Sequence, residues 1–237
     1  MKIKNIKMQI NGDNILDNIS FNLNRNDKVG LVGANGSGKS TLLKIISGEV
    51  LPDSGVLDLE NAKIGYLKQE ISSIYNDYTI EKYIKQITGY DKLENRLNYL
   101  QSNLDESNIN EYNQTLNEFL AIEGYIFDDK LQKIIYGLSL QKSIDAFIGH
   151  LSGGEKMKVS LATVLMINPD VLLLDEPTNN LDIKAIEWLE NYLINLSKQM
   201  IIVSHDETFL NNVVNKIFEL KNGSICKYNL KYNDYLL

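Results

Sequence analysis

Eight residues, Gly33-Ala34-Asn35-Gly36-Ser37-Gly38-Lys39-Ser40, limit what this chain can become more than any other stretch. They fit G-x-x-x-x-G-K-[ST], and Thr41 follows. A short apolar run, Val29–Val32, precedes the loop; a helical pattern, Lys39–Ser47, follows it and is closed by Gly48. A strand–loop–helix of this kind is a phosphate cradle. Its glycines let the backbone curl until several N–H groups face one anion. The helix adds the positive end of its dipole. Lys39 reaches the β- and γ-phosphates of a nucleotide, and the Ser40 hydroxyl is placed to ligate Mg²⁺.

The flanking sequence supports one α/β domain with an insertion. The chain has 237 residues, enough for a domain of ordinary size. Lys2–Gln9 and Ile19–Leu23 alternate apolar and polar, as half-buried strands do. Gly55–Leu59 and Lys63–Leu67 read as further strands. In the last third, a helical pattern over Glu155–Ile167 leads to an apolar strand, Val171–Leu174. An amphipathic helix, Ile183–Leu196, then leads to a second buried strand, Met200–Val203. Strands alternating with helices predict a mostly parallel sheet.

The middle differs. Tyr75–Lys130 carries eleven acidic residues against five basic. Leu93, Leu97, Leu100 and Leu104 form one helical stripe. Asp105–Asn110 is polar and turns the chain. Ile109, Tyr112, Leu116 and Phe119 form a second stripe. The spacing predicts a helical hairpin with its own seam, able to project as an arm; the alternative is two surface helices packed flat on the domain.

Composition removes several function classes. No apolar run approaches the roughly 18 residues of a membrane span, and Met1–Asn11 lacks the apolar core of a signal peptide. Cys226 is the sole cysteine, which rules out an intrachain disulfide or a thiolate metal cluster. Together these features predict a cytoplasmic protein without direct membrane insertion. The net charge of −7 gives no general attraction to nucleic acid, so any such contact would be local.

Two more features carry chemistry. Val171-Leu172-Leu173-Leu174-Asp175-Glu176 is a buried strand tipped by two carboxylates. With its end beside the phosphate loop, Asp175 is the candidate for Mg²⁺ coordination through water. Glu176 then orients or deprotonates the attacking water. His205 ends the apolar run Ile201-Ile202-Val203-Ser204; such a histidine, taken alone, is more often structural than catalytic. His150 reads as a packing histidine.

Leu151-Ser152-Gly153-Gly154-Glu155 resembles the signature motif of ATP-binding cassette (ABC) proteins, which other P-loop families lack. It lies 23 residues before Asp175, and the motifs fall in the family's order over essentially the whole chain. The resemblance implies an α/β P-loop NTPase fold of the ABC type. That fold has a mixed-sheet core, an antiparallel β subdomain and a helical subdomain. We place the ATP-binding core with its β subdomain at 1–70 and 146–237. The helical subdomain is placed at 71–145, with the arm at about 91–123.

The resemblance also implies roles. Gly33, Asn35, Gly36, Ser37, Gly38, Lys39, Ser40 and Thr41 bind ATP. Ser40, Asp175 and the Q-loop Gln69 organise Mg²⁺. Glu176, Gln69 and the switch His205 act in hydrolysis. Ser152, Gly153, Gly154 and Glu155 close in trans over the γ-phosphate held by a second cassette, and Asp182 in the D-loop couples the two sites. One departure concerns the base: the family stacks adenine on an aromatic residue, and the matching position here is Ile10.

Several stretches resemble the ABC-F class, which carries two cassettes per chain and works on ribosomes. Glu176-Pro177-Thr178-Asn179-Asn180-Leu181-Asp182 is similar to its acidic motif, with Asn180 where a histidine is usual. Ile186–Glu190, Val203–Asp206 with Phe209-Leu210, and Tyr232–Tyr235 resemble its later segments. About 80 residues separate Gln69 from Ser152, room for the arm that ABC-F proteins insert there. This implies a partner in the bacterial ribosome and tRNA, with some members protecting ribosomes from antibiotics. The competing class is the ATPase subunit of an ABC membrane transporter. The second cassette belongs either to the same, longer chain or to a homodimer; both arrangements stay open at this stage.

Overall fold

The structure, a computed structural model, describes residues 1–68 and 70–236. The chain divides into two compact units. The first comprises Met1–Lys68, Pro169–Asn179 and Ile186–Leu237; the second comprises Gln69–Asn168 and Asn180–Ala185. The second unit is larger than the expected 71–145. It takes in the signature segment and the D-loop, and the helix after the signature packs on the unit's other helices.

In the first unit, β1 (Lys2–Ile10) and β2 (Asp13–Asn22) form an antiparallel hairpin. Its turn is Asn11-Gly12, both at positive φ, the chemistry that a two-residue hairpin turn demands. Ile3, Ile6, Leu16, Ile19 and Phe21 point inward and are buried. Next come β3 (Lys28–Val32), α1 (Lys39–Ser47), β4 (Ser54–Asp58) and β5 (Ile64–Tyr66). Strand β4 pairs with β1, giving a three-stranded antiparallel sheet of order β2-β1-β4.

The second unit is helical. Helix α2 (Ile80–Thr88) is capped by the Thr79 hydroxyl and ended by Gly89. Helices α3 (Tyr90–Ser102) and α4 (Ile109–Ala121) pack on each other as the expected hairpin. Leu97, Leu100 and Phe119 form its buried seam, whereas Leu104 and Ile109, expected in the two stripes, are exposed at the tip. Leu104 lies in, and Ile109 beside, a turn held by Asp105, whose carboxylate accepts from Ser107 and Asn108; α3 ends at Ser102, before its stripe does, whereas Ile109 opens α4. Arg96 pairs with Glu111 across the hairpin. At its base, α5 (Phe127–Gly137) sets Phe127 against Tyr90, ring centroids 4.3 Å apart. Gly124 admits the Phe119 ring so closely that a Cβ there would lie 2.4 Å from Cζ. Helix α6 (Gly153–Met166) completes the unit.

The chain then alternates as expected: β6 (Val171–Asp175), α7 (Ile183–Asn195), β7 (Gln199–Val203) and α8 (Glu207–Val213). It ends with β8 (Lys216–Lys221), β9 (Ser224–Tyr228) and α9 (Tyr232–Tyr235). The second sheet has the order β5-β6-β7-β3-β8-β9, parallel except for the β8–β9 hairpin. Strand β6 is buried along its whole length because both its faces are covered. Parallel pairing brings the ends of β3, β6 and β7 to one edge of the sheet.

Phe127 is 1% exposed and closes the base of the hairpin. Phe127→Ala is expected to lower stability by about 3–5 kcal/mol, read as an earlier urea transition. Amide exchange should quicken first in α3 and α4; unchanged protection there contradicts this account of the hairpin.

Candidate functional site

The phosphate loop leaves β3 at Gly33. A Cβ at Gly33 would lie 2.4 Å from the Leu220 carbonyl oxygen and 2.9 Å from Ser37 Oγ, so no side chain fits. Gly38 starts α1 at φ 100, and its Cβ would lie 2.7 Å from Ile15 Cγ2. Asn35 and Gly36 are exposed on the rim; Ser40 and Thr41 lie half-buried in the first turn of α1. The opening N–H groups of that turn have no partner within the helix. Lys39 is buried, and its ammonium donates to the carbonyls of Gly33 at 2.8 Å and Ala34 at 2.9 Å. Ser37 Oγ is buried with no partner among the described residues. Such a loop offers donors and a cation to an anion. A cavity of about 460 Å³ beside it is lined by Asn14, Ile15, Asn35, Lys221 and Asn222.

The acid-tipped strand is not the immediate neighbour of the loop's strand. Strand β7 lies between β6 and β3, so His205, which follows β7, emerges between the loop and the two carboxylates. Two parallel pairings, not one, are needed because the covered sheet interior holds three apolar strands at this point.

Asp175 is 2% exposed, and its Oδ2 has no hydrogen-bond partner among the described residues. A buried carboxylate oxygen left bare is costly unless a cation or donor comes to it. With the Ser40 hydroxyl, this donor set fits a hard divalent cation such as Mg²⁺, whose other ligands are phosphate oxygens and water. Tyr66, on β5, has its phenol pushed up to about 12 by burial and by the Asp175 charge.

Glu176 has a left-handed backbone, φ 52. Its N–H donates to the Val203 carbonyl at 2.8 Å, which turns the chain sharply after Asp175. The carboxylate accepts from the His205 N–H at 3.1 Å and stands 3.5 Å from His205 Nε2. Burial raises the Glu176 carboxyl above its ordinary range, helped by Asp175; the His205 contacts and Lys39 oppose the rise without cancelling it. His205 is largely exposed, free to meet a further group.

In the second unit, Ser152 starts α6 with a full capping box. Its hydroxyl accepts from the Glu155 N–H at 3.3 Å. Glu155 in turn accepts from the Ser152 N–H at 2.8 Å and from its hydroxyl at 2.9 Å, bonds that lower the Glu155 carboxyl. Gly153 meets open space, whereas a Cβ on Gly154 would lie 3.3 Å from Asn180 Cβ. Asp182 caps α7 through the Ala185 N–H at 2.9 Å. Two further residues, Ser139 and Lys158, meet Asp182; nothing in the motif spacing pointed to them. Gln69 lies outside the described residues. Ile10 is 42% exposed at the end of β1.

The sequence profile of the ABC transporter family matches residues 16–179. The chain belongs to the ABC family.

The cassette is 34% identical over 246 residues to an uncharacterized ABC transporter ATP-binding protein, YfmM, of Bacillus subtilis; the match covers all of this chain and 47% of that protein. It is 32% identical to ABC transporter F family member 5 of Arabidopsis thaliana, over all of this chain and 36% of that protein. It is 35% identical to the ATP-binding protein Uup of Haemophilus influenzae, over 94% of this chain and 35% of that protein. The cassette thus spans between about a third and a half of the length of these relatives. The structure of an ATP-binding subunit of an ABC transporter superposes with a TM-score of 0.72 at 21% identity, over 97% of this chain and 89% of that one; this likeness establishes the fold. The cassette is an ABC ATPase domain of α/β P-loop architecture.

The raised Glu176 carboxyl has a stability consequence. The folded cassette binds this proton more tightly than the unfolded chain, so ionisation costs stability as pH rises from about 4.3 through the raised folded value. Glu176→Gln removes that cost. Its unfolding midpoint at pH 8 is expected to equal or exceed the parent's, with the difference vanishing below about pH 4. A variant less stable than the parent at pH 8 and equal to it at pH 4 contradicts the assignment.

Proposed function

We propose that this cassette binds Mg-ATP in the Gly33–Thr41 loop, hydrolyses it when paired with a second cassette, and acts on the ribosome as an ABC-F protein. The ATPase reading is carried by one observation: Lys39, Asp175, Glu176 and His205 converge in one unit, with a bare buried carboxylate oxygen among them.

In the proposed mechanism, Lys39 exchanges its loop carbonyls for β- and γ-phosphate oxygens, and the amides from Gly36 to Thr41 hold the remaining ones. Ser40, Asp175 and Gln69 would hold Mg²⁺, which would neutralise phosphate charge when bound. Glu176 Oε receives a proton from the attacking water; its raised carboxyl makes it a stronger base than an ordinary glutamate. His205, kept in place by Glu176, steadies the γ-phosphate. Ser152, Gly153, Gly154 and Glu155 of the paired cassette close over that phosphate, with Asp182 beside them. Ile10 offers the base an aliphatic surface, so the phosphates carry most of the affinity. Positioning and charge stabilisation provide the rate.

The ribosomal reading is supported by the F family member among the relatives and by the α3–α4 hairpin. The hairpin falls in the insertion between the Q-loop position and the signature. Among the described residues no helix is long and apolar enough to cross a membrane. The second cassette lies in the same chain or in a homodimer.

Glu176→Gln is expected to bind ATP normally and to hydrolyse it about 10²–10⁴-fold more slowly. Lys39→Ala is expected to lose nucleotide affinity itself. Normal turnover in the first, or normal affinity in the second, contradicts the roles given. For the ribosomal role, full-length Glu176→Gln is sedimented through a sucrose cushion with bacterial ribosomes. ATP-dependent co-pelleting is expected. Its absence in a protein that still binds ATP would instead favour a transporter subunit.

A further inference from the structure

Lys158 lies in α6, six residues after Ser152, with a side chain only 12% exposed. Its ammonium donates to the Ser139 carbonyl at 3.1 Å and stands 3.7 Å from Asp182 Oδ2. The Ser139 hydroxyl is 3.5 Å from Asp182 Oδ1, the same oxygen that caps α7. Ser139 follows α5 in a left-handed conformation, φ 51, which an L residue adopts only when its surroundings impose it. One turn earlier on α6, Gly154 approaches Asn180 so closely that a Cβ would lie 3.3 Å from it. Three segments remote in sequence therefore meet on one largely buried cation: the end of α5, the signature helix and the turn that starts α7.

Stability alone does not account for this arrangement. A buried cation needs partners to offset its lost hydration, and an apolar side chain of similar size often serves a fold as well. What the cation adds is a fixed register between the elements it bridges. The polar partners of Lys158, Ser139 and Asp182, lie with it in the second unit.

We propose that Lys158 is a positioning residue that locks the Asn180–Asp182 turn to the signature helix, so that both respond as one body when a second cassette closes on them. This rests on the paired-cassette reading given above. Ser152 and Asp182 face the partner's nucleotide in that reading. A rigid link between them converts occupancy of one site into geometry at the other. Without the link, each element would still fold but would settle independently.

The test uses the full-length protein with Lys158→Met and Lys158→Arg, reading the ATP dependence of hydrolysis, ATP affinity by equilibrium dialysis, and the unfolding midpoint. The wild type is expected to hydrolyse ATP with a Hill coefficient above one. Lys158→Met is expected to bring it to one and to lower kcat by about tenfold, within the ordinary range of coupling between sites. ATP affinity should stay within about twofold, because the phosphate loop is untouched. Lys158→Arg should restore cooperativity, since a guanidinium reaches both acceptors. Should Lys158→Met fail to fold, Ser139→Gly, which removes the hydroxyl contact and relaxes the backbone, is expected to lower the Hill coefficient by itself. Undiminished cooperativity in the folded variants overturns the inference while leaving the pairing intact. A Hill coefficient of one in an ATP-binding wild type overturns the pairing and this inference with it.

Discussion

The insertion of β7 between β3 and β6 is the constraint on which the site depends. Val29 and Gly30 of β3 pair with Ile201 and Ile202 on one side of β7; Leu174 and Asp175 of β6 pair with Ile202 and Val203 on the other. A parallel ladder sends every chain out at the same edge. The loop after β3, the acids after β6 and the histidine after β7 thus arrive together without any contact between their side chains being needed to gather them. The six-stranded sheet buries both faces of its centre, which leaves this edge as the place where polar groups can collect.

What collects there is kept under electrostatic tension. Lys39 is sheltered and turns to two loop carbonyls, neutral acceptors where a phosphate would be a charged one. Asp175 Oδ2 has no donor among the described residues, and Glu176 carries a carboxyl raised by burial on a left-handed backbone. Each of these is unfavourable in isolation, and each is relieved by the arrival of a metal, a phosphate or a proton. The apolar strands beneath, with Leu172, Leu173 and Leu174 fully buried, supply the stability that lets the edge stay unsatisfied.

Legibility in the sequence followed the range of each interaction. The phosphate loop was readable because its parts lie within nine residues and each has a local reason: Gly33 and Gly38 have no room for a Cβ, and Lys39 opens a helix. The strands around it were readable from apolar runs, as was the α3–α4 hairpin from its leucine spacing. The periodicity overran α3 at Leu104 because a stripe records which face is apolar, whereas the Asp105 turn decides where the helix ends. Strands β8 and β9 escaped notice, since Lys216–Lys221 and Ser224–Tyr228 mix charge with apolar residues around the Asn222-Gly223 turn. The place of β7 between loop and acids was not readable, because strand order is a property of pairing and not of spacing. Ser139 and Lys158 were invisible for the same reason: their shared partner, Asp182, is 43 and 24 residues away.

In the proposed mechanism, the division of chemistry between the two units bears on why hydrolysis would wait for a partner. The first unit holds the Lys39 cation, the Gly33–Thr41 loop and the carboxyl proposed as the base, Glu176. The second holds donors at a helix start and no cradle of its own. Its Ser152 hydroxyl is meanwhile committed to Glu155 at 2.9 Å. To serve a phosphate, that hydrogen must turn away from a carboxylate and toward a more highly charged anion. The capping box keeps Ser152 in the correct rotamer while the site is open, so little ordering entropy remains to be lost on closure. The same Glu155 charge sits beside any incoming phosphate and opposes it. In the proposed mechanism, closure would then become favourable only when the rest of the interface contributes, and ATP bound to a lone cassette would stay intact.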